Sequence, residues 1–268
     1  MAETEFKRRM DLRLARWYQN ADPHPDPELQ ARRRYVANLV NKSAMLKYAE
    51  RMTLPIPERY AEVATVEELD FDALPERVVI KPNNSADNDC VMLFDNGREI
   101  FSGSEAPVES RAEFVRETFA NGRFIKRDTR ILAEEFVRDY NESFAVPRDF
   151  KVYVAGGRSW VVQVVNRVGP KKSWTHRFYS RDWVPYGPFQ MSNLFGEEIP
   201  PPPHLDRMIE IADRIARDID VFMRLDFYIS AKGPVFGEFT SYPNAGMRFT
   251  EIGNAVLCDL MDRYPDPF

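Results

Sequence analysis

The chain has 268 residues, 44% hydrophobic and 29% charged, with a net charge of −5. That length and composition describe a globular protein with a real core. The acidic balance without a long basic run argues against nucleic acid as a partner, and no apolar stretch approaches membrane-spanning length.

Residues 1–40 read as a helical extension. A helix over 3–18 stops before the prolines at 23, 25 and 27, which forbid its continuation. A second helix is expected over 28–39 and a third over 42–52, the latter with Met45, Leu46, Ala49 and Met52 on one face and Asn41 as its cap. The basic clusters at 7–9 and 32–34 read as solvated helix faces. Thr65 with Glu68, and Ser110 with Glu113, each carry the capping-box spacing.

Short apolar runs at 78–82, 90–94 and 131–137 predict strands. The first carries Lys81, and a lysine inside such a run needs an anionic partner. The segment 83–89 is wholly small or polar, suited to wrapping a polyphosphate through main-chain amides. Residues 150–166 predict a hairpin turning at Gly156-Gly157. The stretch 167–196, rich in Lys, Arg, Trp and Tyr, reads as a binding loop. A periodic helix over 205–219 leads to a second hairpin, and a last helix runs over 252–263. Strands mixed with helices predict an α+β fold. The two cysteines, Cys90 and Cys258, stand among apolar neighbours. The three histidines show no ligand spacing. A reducing, cytoplasmic setting is expected, without a zinc site.

The second hairpin, FMRLDFYISAKGPVFGEFTSY at 222–242, is the most informative segment. A turn centred on Lys232 sets Asp226 across from Glu238 and Arg224 across from Thr240. Residues two apart in a strand share a face, so these four make one polar square. Opposed carboxylates repel unless something positive sits between them, and a divalent cation held by hard oxygens is the natural answer. A bulge in the hairpin is expected to break the square.

The order of parts, from lysine helix through strand lysine, polar loop and acidic strand end to a hairpin with paired carboxylates, resembles the ATP-grasp fold. The runs RDFKVYVAGGRSWVVQVV, HRFYSRDWVPY, HLDRMIEIADRIARDID and MRLDFYISAKGPVFGEFTSYP resemble the teichuronopeptide-biosynthesis-like (TupA-like) branch over about residues 41–263. The resemblance implies two α+β parts, 41–145 and 146–268, gripping ATP between two antiparallel sheets. It implies ATP and Mg2+ as cofactors. Lys42 (with Lys47 as rival) and Lys81 would hold phosphates. Glu134, Glu135, Phe136 and Val137 would form the adenine hinge, and Asp149 would bind ribose. Arg224 would act on the transferring phosphoryl group, and Asp226 and Glu238 would hold the metal. Thr240 stands where the family has an asparagine ligand, which leaves a second metal position open.

The activity so implied is an ATP-dependent carboxylate–amine ligase working through an acylphosphate. The branch name points to joining an amino acid or other amine to a uronic-acid, glycan or peptide carboxylate in surface-polymer biosynthesis. A kinase acting on a sugar or small alcohol is the alternative on the same fold. Lys171, Lys172, Trp174, His176 and Arg177 are the candidate contacts to an acidic, ring-containing substrate.

Overall fold

The computed structural model describes residues 4–84, 89–123, 125–167, 173–191 and 194–268. In chain order the helices are α1 (Glu5–Tyr18), α2 (Pro27–Asn38), α3 (Lys42–Arg51), α4 (Val108–Ala120), α5 (Leu205–Ile219) and α6 (Glu251–Arg263). The strands are β1 (Arg59–Val63), β2 (Val78–Pro82), β3 (Met92–Asp95), β4 (Arg98–Glu99), β5 (Ile131–Glu135), β6 (Asp149–Ala155), β7 (Arg158–Asn166), β8 (Thr175–Ser180), β9 (Leu194–Phe195), β10 (Met223–Ser230) and β11 (Gly233–Thr240). They form two compact units: residues 1–40, 47–55 and 138–268, and residues 41–46 and 56–137.

Local chemistry explains most helix starts. Asp26 accepts the amide of Glu28 at 2.8 Å and Pro27 opens α2, where its missing N–H costs nothing. Asn41 accepts the amide of Ser43 at 3.0 Å and so caps α3. The two capping boxes do not form. Only a three-residue 3₁₀ turn follows Thr65, whose side chain makes no cap bond, and α4 begins at Val108 with the Ser110 hydroxyl bonded back to the Pro107 carbonyl. Arg33 turns inward rather than to solvent, donating to the Asp22 carbonyl at 2.7 Å.

The smaller unit is a five-stranded antiparallel sheet in the order β1-β5-β2-β3-β4. Val78, Ile80, Phe94, Ile131 and Ala133 from its strands meet Val115 and Phe119 of α4 in its core.

The larger unit is a six-stranded sheet in the order β11-β10-β6-β7-β8-β9, antiparallel except for β8 with β9. The stretch expected as a single loop therefore contains two strands. The β6–β7 hairpin turns at Gly156-Gly157, both with positive φ. Helix α5 buries Met208, Ala212, Ile215 and Ile219 and packs across β6, β7, β10 and β11. A second cluster joins Phe6 and Met10 of α1 to Tyr153, Phe178, Phe222, Phe249 and Leu257. Helix α1 thus contributes to this unit's core.

The β10–β11 hairpin reaches its expected pairing by a different route. Its turn is two residues, Ala231-Lys232, closed by Ser230 opposite Gly233, so the pairing next to the turn is offset by one. A bulge at Gly237 takes up that residue and sets Asp226 opposite Glu238 and Arg224 opposite Thr240. The bulge makes the square instead of breaking it. A Cβ at Gly237 would stand 3.3 Å from the Asp226 carbonyl oxygen, so a residue without a side chain suits the position.

Candidate active site

Each unit carries one set of the expected residues. In the larger unit, β10 is flanked by β11 and β6, and the register builds a polar row across three strands. Glu238, Asp226 and Lys151 are directly opposed in that order, and Thr240, Arg224 and Tyr153 form the next row. Arg224 and Asp226 are buried, whereas Glu238 and Thr240 are half-buried. The Arg224 guanidinium grips Asp226 in two places, Nε to Oδ1 at 2.7 Å and Nη2 to Oδ2 at 2.8 Å, and also reaches the Thr240 hydroxyl at 3.0 Å. The Lys151 ammonium closes a second ion pair on Asp226 Oδ2.

Two side-chain cations therefore supply the positive charge that the opposed carboxylates demand. Burial works against ionisation of Asp226, yet Arg224 and Lys151 hold its carboxyl down to about 2. Arg224 is correspondingly held above its ordinary value against its own burial. Tyr153 is pushed up to about 12 by burial, so it stays a phenol.

Asp149, the expected ribose ligand, begins β6 and is buried between two cations. Arg167 pairs with it, and Lys151 Nζ lies 3.4 Å away. Of the expected substrate contacts, Lys171 and Lys172 lie outside the described residues. Trp174 is buried, with the Arg167 guanidinium 5.3 Å from its ring centre. His176 and Arg177 are neighbours on β8 and so point to opposite faces of the sheet. Arg177 lies 4.2 Å over the Phe195 ring and pairs with Glu198. His176 is buried, which lowers its pKa; the Gln190 carbonyl opposes this only in part and lies outside normal hydrogen-bond geometry. One ligand cannot meet both side chains from the same side.

In the smaller unit, Lys81 finds the anionic partner its strand position demands: it pairs with Glu134. Glu134 is buried, and Arg59 lies 3.8 Å from it. Arg59 bonds Glu62 at 2.9 Å, and Glu62 accepts the Ser43 hydroxyl at 2.7 Å. Lys42 is buried at the start of α3, its amide bonded to the Asn83 carbonyl at 3.1 Å, whereas Lys47 is exposed. The side chain of Glu134 is thus bound within the sheet unit, and β5 ends at Glu135, whose amide donates to the Glu58 carbonyl at 2.8 Å. Phe136 and Val137 follow the strand end with buried side chains, the Arg77 guanidinium lying 4.6 Å from the Phe136 ring centre. Residues 85–88 of the polar segment lie outside the described residues.

Lys151 is the residue the sequence reading missed. It stands two after Asp149 and so shares its face, but its place beside Asp226 depends on β6 pairing with β10.

The donor set fits a hard cation in its chemistry: an ionised Asp226 with Glu238 directly opposite and a hydroxyl at Thr240. Among the described residues no group of three or more His, Cys, Asp or Glu side chains is gathered as for a metal. Any such cation would share Asp226 with Arg224 and Lys151. Among the described residues no helix is long and apolar enough to cross a membrane.

No curated protein matches the chain. Among solved structures it is similar to the D-alanine–D-alanine ligase of Bacillus anthracis. That likeness has 13% identity and a TM-score of 0.56 over 86% of this chain and 68% of the other. The ATP complex of the same ligase matches at 14% identity and a TM-score of 0.53, over 86% and 67% of the two chains. The D-alanyl-alanine synthetase A of Vibrio cholerae matches at 14% identity and a TM-score of 0.51, over 90% and 63%. The chain spans about two thirds of the length of these structures, and at such identities the likeness is one of fold. A family model described as TupA-like ATPgrasp matches residues 27–260.

Proposed function

The chain belongs to the TupA-like ATP-grasp family, and on that premise we propose that it is an ATP-dependent ligase that joins a carboxylate to an amine through an acylphosphate. The observation that carries the reading is the three-strand row of Glu238, Asp226 and Lys151 with Arg224 clamped beside it. Such a row offers carboxylate oxygens to a cation and two side-chain cations to a phosphoryl group on one face of the sheet.

The roles follow from charge. A carboxylate is a poor electrophile, and phosphorylation by ATP gives it a good leaving group. An amine then attacks the acyl carbon and expels phosphate. Lys81 and Lys42 bind ATP phosphates. Each must exchange a contact it already makes for the nucleotide, Lys81 leaving Glu134. Arg224 and Lys151 spread the charge that develops on the transferring group. Residues 134–137 support adenine, and Asp149 sets the ribose side. Magnesium, if held by Asp226 and Glu238, would neutralise phosphate charge. No side-chain nucleophile is required.

The acceptor we propose is an acidic glycan, uronic acid or peptide, and the donor an amino acid or other amine, in surface-polymer assembly within the cytoplasm. Arg167 beside Trp174 supports an anionic, ring-containing partner. The test is product stoichiometry with paired acceptors and amines. A ligase releases ADP and inorganic phosphate together, in equal amounts, and only with both substrates present. ADP released without free phosphate, on an alcohol alone, would replace this reading with a kinase.

A further inference from the structure

Helix α1 lies outside the family-matched range, yet it bonds to both strands' outer ends at the open end of the β10–β11 hairpin. Arg13, buried in the larger unit, donates from Nη1 to the carbonyl of Phe222 at 2.5 Å and to that of Ser241 at 3.4 Å. Phe222 precedes the first residue of β10, and Ser241 follows the last residue of β11. These two carbonyls therefore flank the Arg224–Thr240 row at the end of the hairpin away from its turn.

The guanidinium is itself held through both of its Nη atoms, while its buried Nε makes no hydrogen bond. Asp266 grips Nη2 at 2.9 and 2.7 Å and accepts the Phe222 amide at 3.1 Å. The rings of Trp17 and Phe222 lie 4.4 and 5.4 Å from it. Two neighbours repeat the pattern on the β11 side. The Tyr18 hydroxyl lies 2.5 Å from that of Ser241, and the Tyr242 hydroxyl donates to Asp11 at 2.6 Å.

A buried arginine is expensive to keep, and core packing alone does not need one. Here its fork ties α1 to the two strand ends of a hairpin far from it in sequence, at the point where the catalytic row begins. We propose that Arg13 is a positioning residue: through the Phe222 and Ser241 carbonyls it fixes where Arg224, Asp226 and Glu238 stand, and α1 thereby sets the geometry of the reaction. This rests on the ligase reading for its catalytic consequence, but not for its effect on the hairpin. The placement of reacting groups is sensitive at this scale, since a shift of about 1 Å costs on the order of 10² in rate.

The experiment compares Arg13→Gln, Arg13→Lys and Arg13→Ala with Met10→Ala, which opens a gap in the cluster that holds Phe222 without touching either carbonyl. Arg13→Lys keeps the charge and stem should Arg13→Gln fail to fold. Hydrogen exchange is followed along the chain, and ATP turnover and ATP affinity are measured well below the melting temperature. Exchange should quicken in the Arg13 variants at 222–226 and 238–242 while β7 and β8 keep their protection. Turnover should fall about 10²-fold with ATP affinity held, and millimolar guanidinium should restore part of it in Arg13→Ala. Met10→Ala should lose stability without these localised changes. Exchange spread evenly through the unit, as in Met10→Ala, would make Arg13 an ordinary core residue and overturn the proposal. So would localised exchange with full turnover. A parent protein that turns over no ATP with any acceptor would sink the ligase reading alone, and the exchange pattern would still decide the clamp.

Discussion

Lys151 stands directly across from Asp226 in the β6–β10 register, and its ammonium pairs with the same carboxylate oxygen that Arg224 Nη2 holds at 2.8 Å. One buried anion thus serves two cations, and its removal leaves both without it.

Asp226→Asn should therefore lower stability by about 3 kcal/mol, because breaking a buried charge set by deleting one partner strands the others. The opposed carboxylates alone suggest the reverse sign, since deleting one relieves repulsion. The side-chain cations decide against that. Glu238→Gln, at a half-buried position, should cost much less, while both variants should abolish ATP turnover. Urea unfolding and turnover measured side by side check this; an Asp226→Asn protein as stable as its parent would remove Asp226 from its place as counter-ion.

Acid should reproduce the same loss. The Asp226 carboxyl is held at about 2 against an ordinary 3.8. A carboxyl depressed on folding adds stability that is complete above its unfolded value and disappears as pH falls toward its folded value. The stability gap between the parent and Asp226→Asn should be constant above about pH 4 and shrink between about pH 4 and pH 2. Urea midpoints across that range measure it. A gap that persists unchanged to pH 2 would mean the carboxyl is not held by these cations.

His176 should act in a different window. Burial lowers its pKa from 6.5. The unfolded chain then binds a proton below about pH 6.5 that the folded chain refuses, so stability falls as pH drops through that region. His176→Phe, packed against Phe178, should remove that slope below about pH 6.5 while leaving the Asp226 slope intact. Equal slopes in the two proteins would show that the ring titrates as freely in the fold as outside it.

The contrast between these residues explains what could be read in advance. The partners of Asp226 within its own hairpin were legible because a hairpin is local and its pairing follows from a turn and an alternation. Even there a three-residue turn stood in for a two-residue turn plus the Gly237 bulge, two one-residue differences that cancel. Lys151 was not legible, since β6 meets β10 only through long-range pairing. β8 carried a weaker signal: Thr175, His176, Arg177 and Phe178 alternate, but Lys, Arg and Trp nearby mask a strand as a loop. β1 offered still less, with all five residues half-buried. Long-range contacts also hid the part α1 plays, because neither Phe222 nor Ser241 is marked by its own neighbours as the target of Arg13.

Lys81→Ala should weaken ATP binding by about 1.5–3 kcal/mol, the range for a hydrogen bond to a charged group, and leave adenosine binding nearly unchanged. Its ion pair with Glu134 adds a second readout. Glu134→Gln frees the ammonium and should preserve or strengthen ATP binding if its main role is to hold that lysine, but weaken both ligands if it supports adenine. Calorimetry with ATP and adenosine separates these outcomes. Equal losses for the two ligands in Lys81→Ala would assign the lysine to the fold.

Arg224 carries the sharpest test of reaction type. Its guanidinium is committed to Asp226 and Thr240, so it gives ground-state ATP little that is new. A group that acts on charge developing during transfer raises turnover more than affinity. Arg224→Ala should cost on the order of 10² to 10³ in turnover with the ATP dissociation constant nearly unchanged. Arg224→Lys keeps the charge but loses the two-point grip on Asp226, and should recover only a small part. Hydroxylamine supplied in place of the amine, with the true carboxylate present, should yield a hydroxamate in the parent protein because it intercepts an acylphosphate. In Arg224→Ala the hydroxamate should fall in step with ADP release, since the arginine acts before the amine does. A hydroxamate yield that stays high while amide formation falls would move Arg224 to the second half of the reaction. ATP consumed on the true carboxylate with no hydroxamate at all would end the ligase reading.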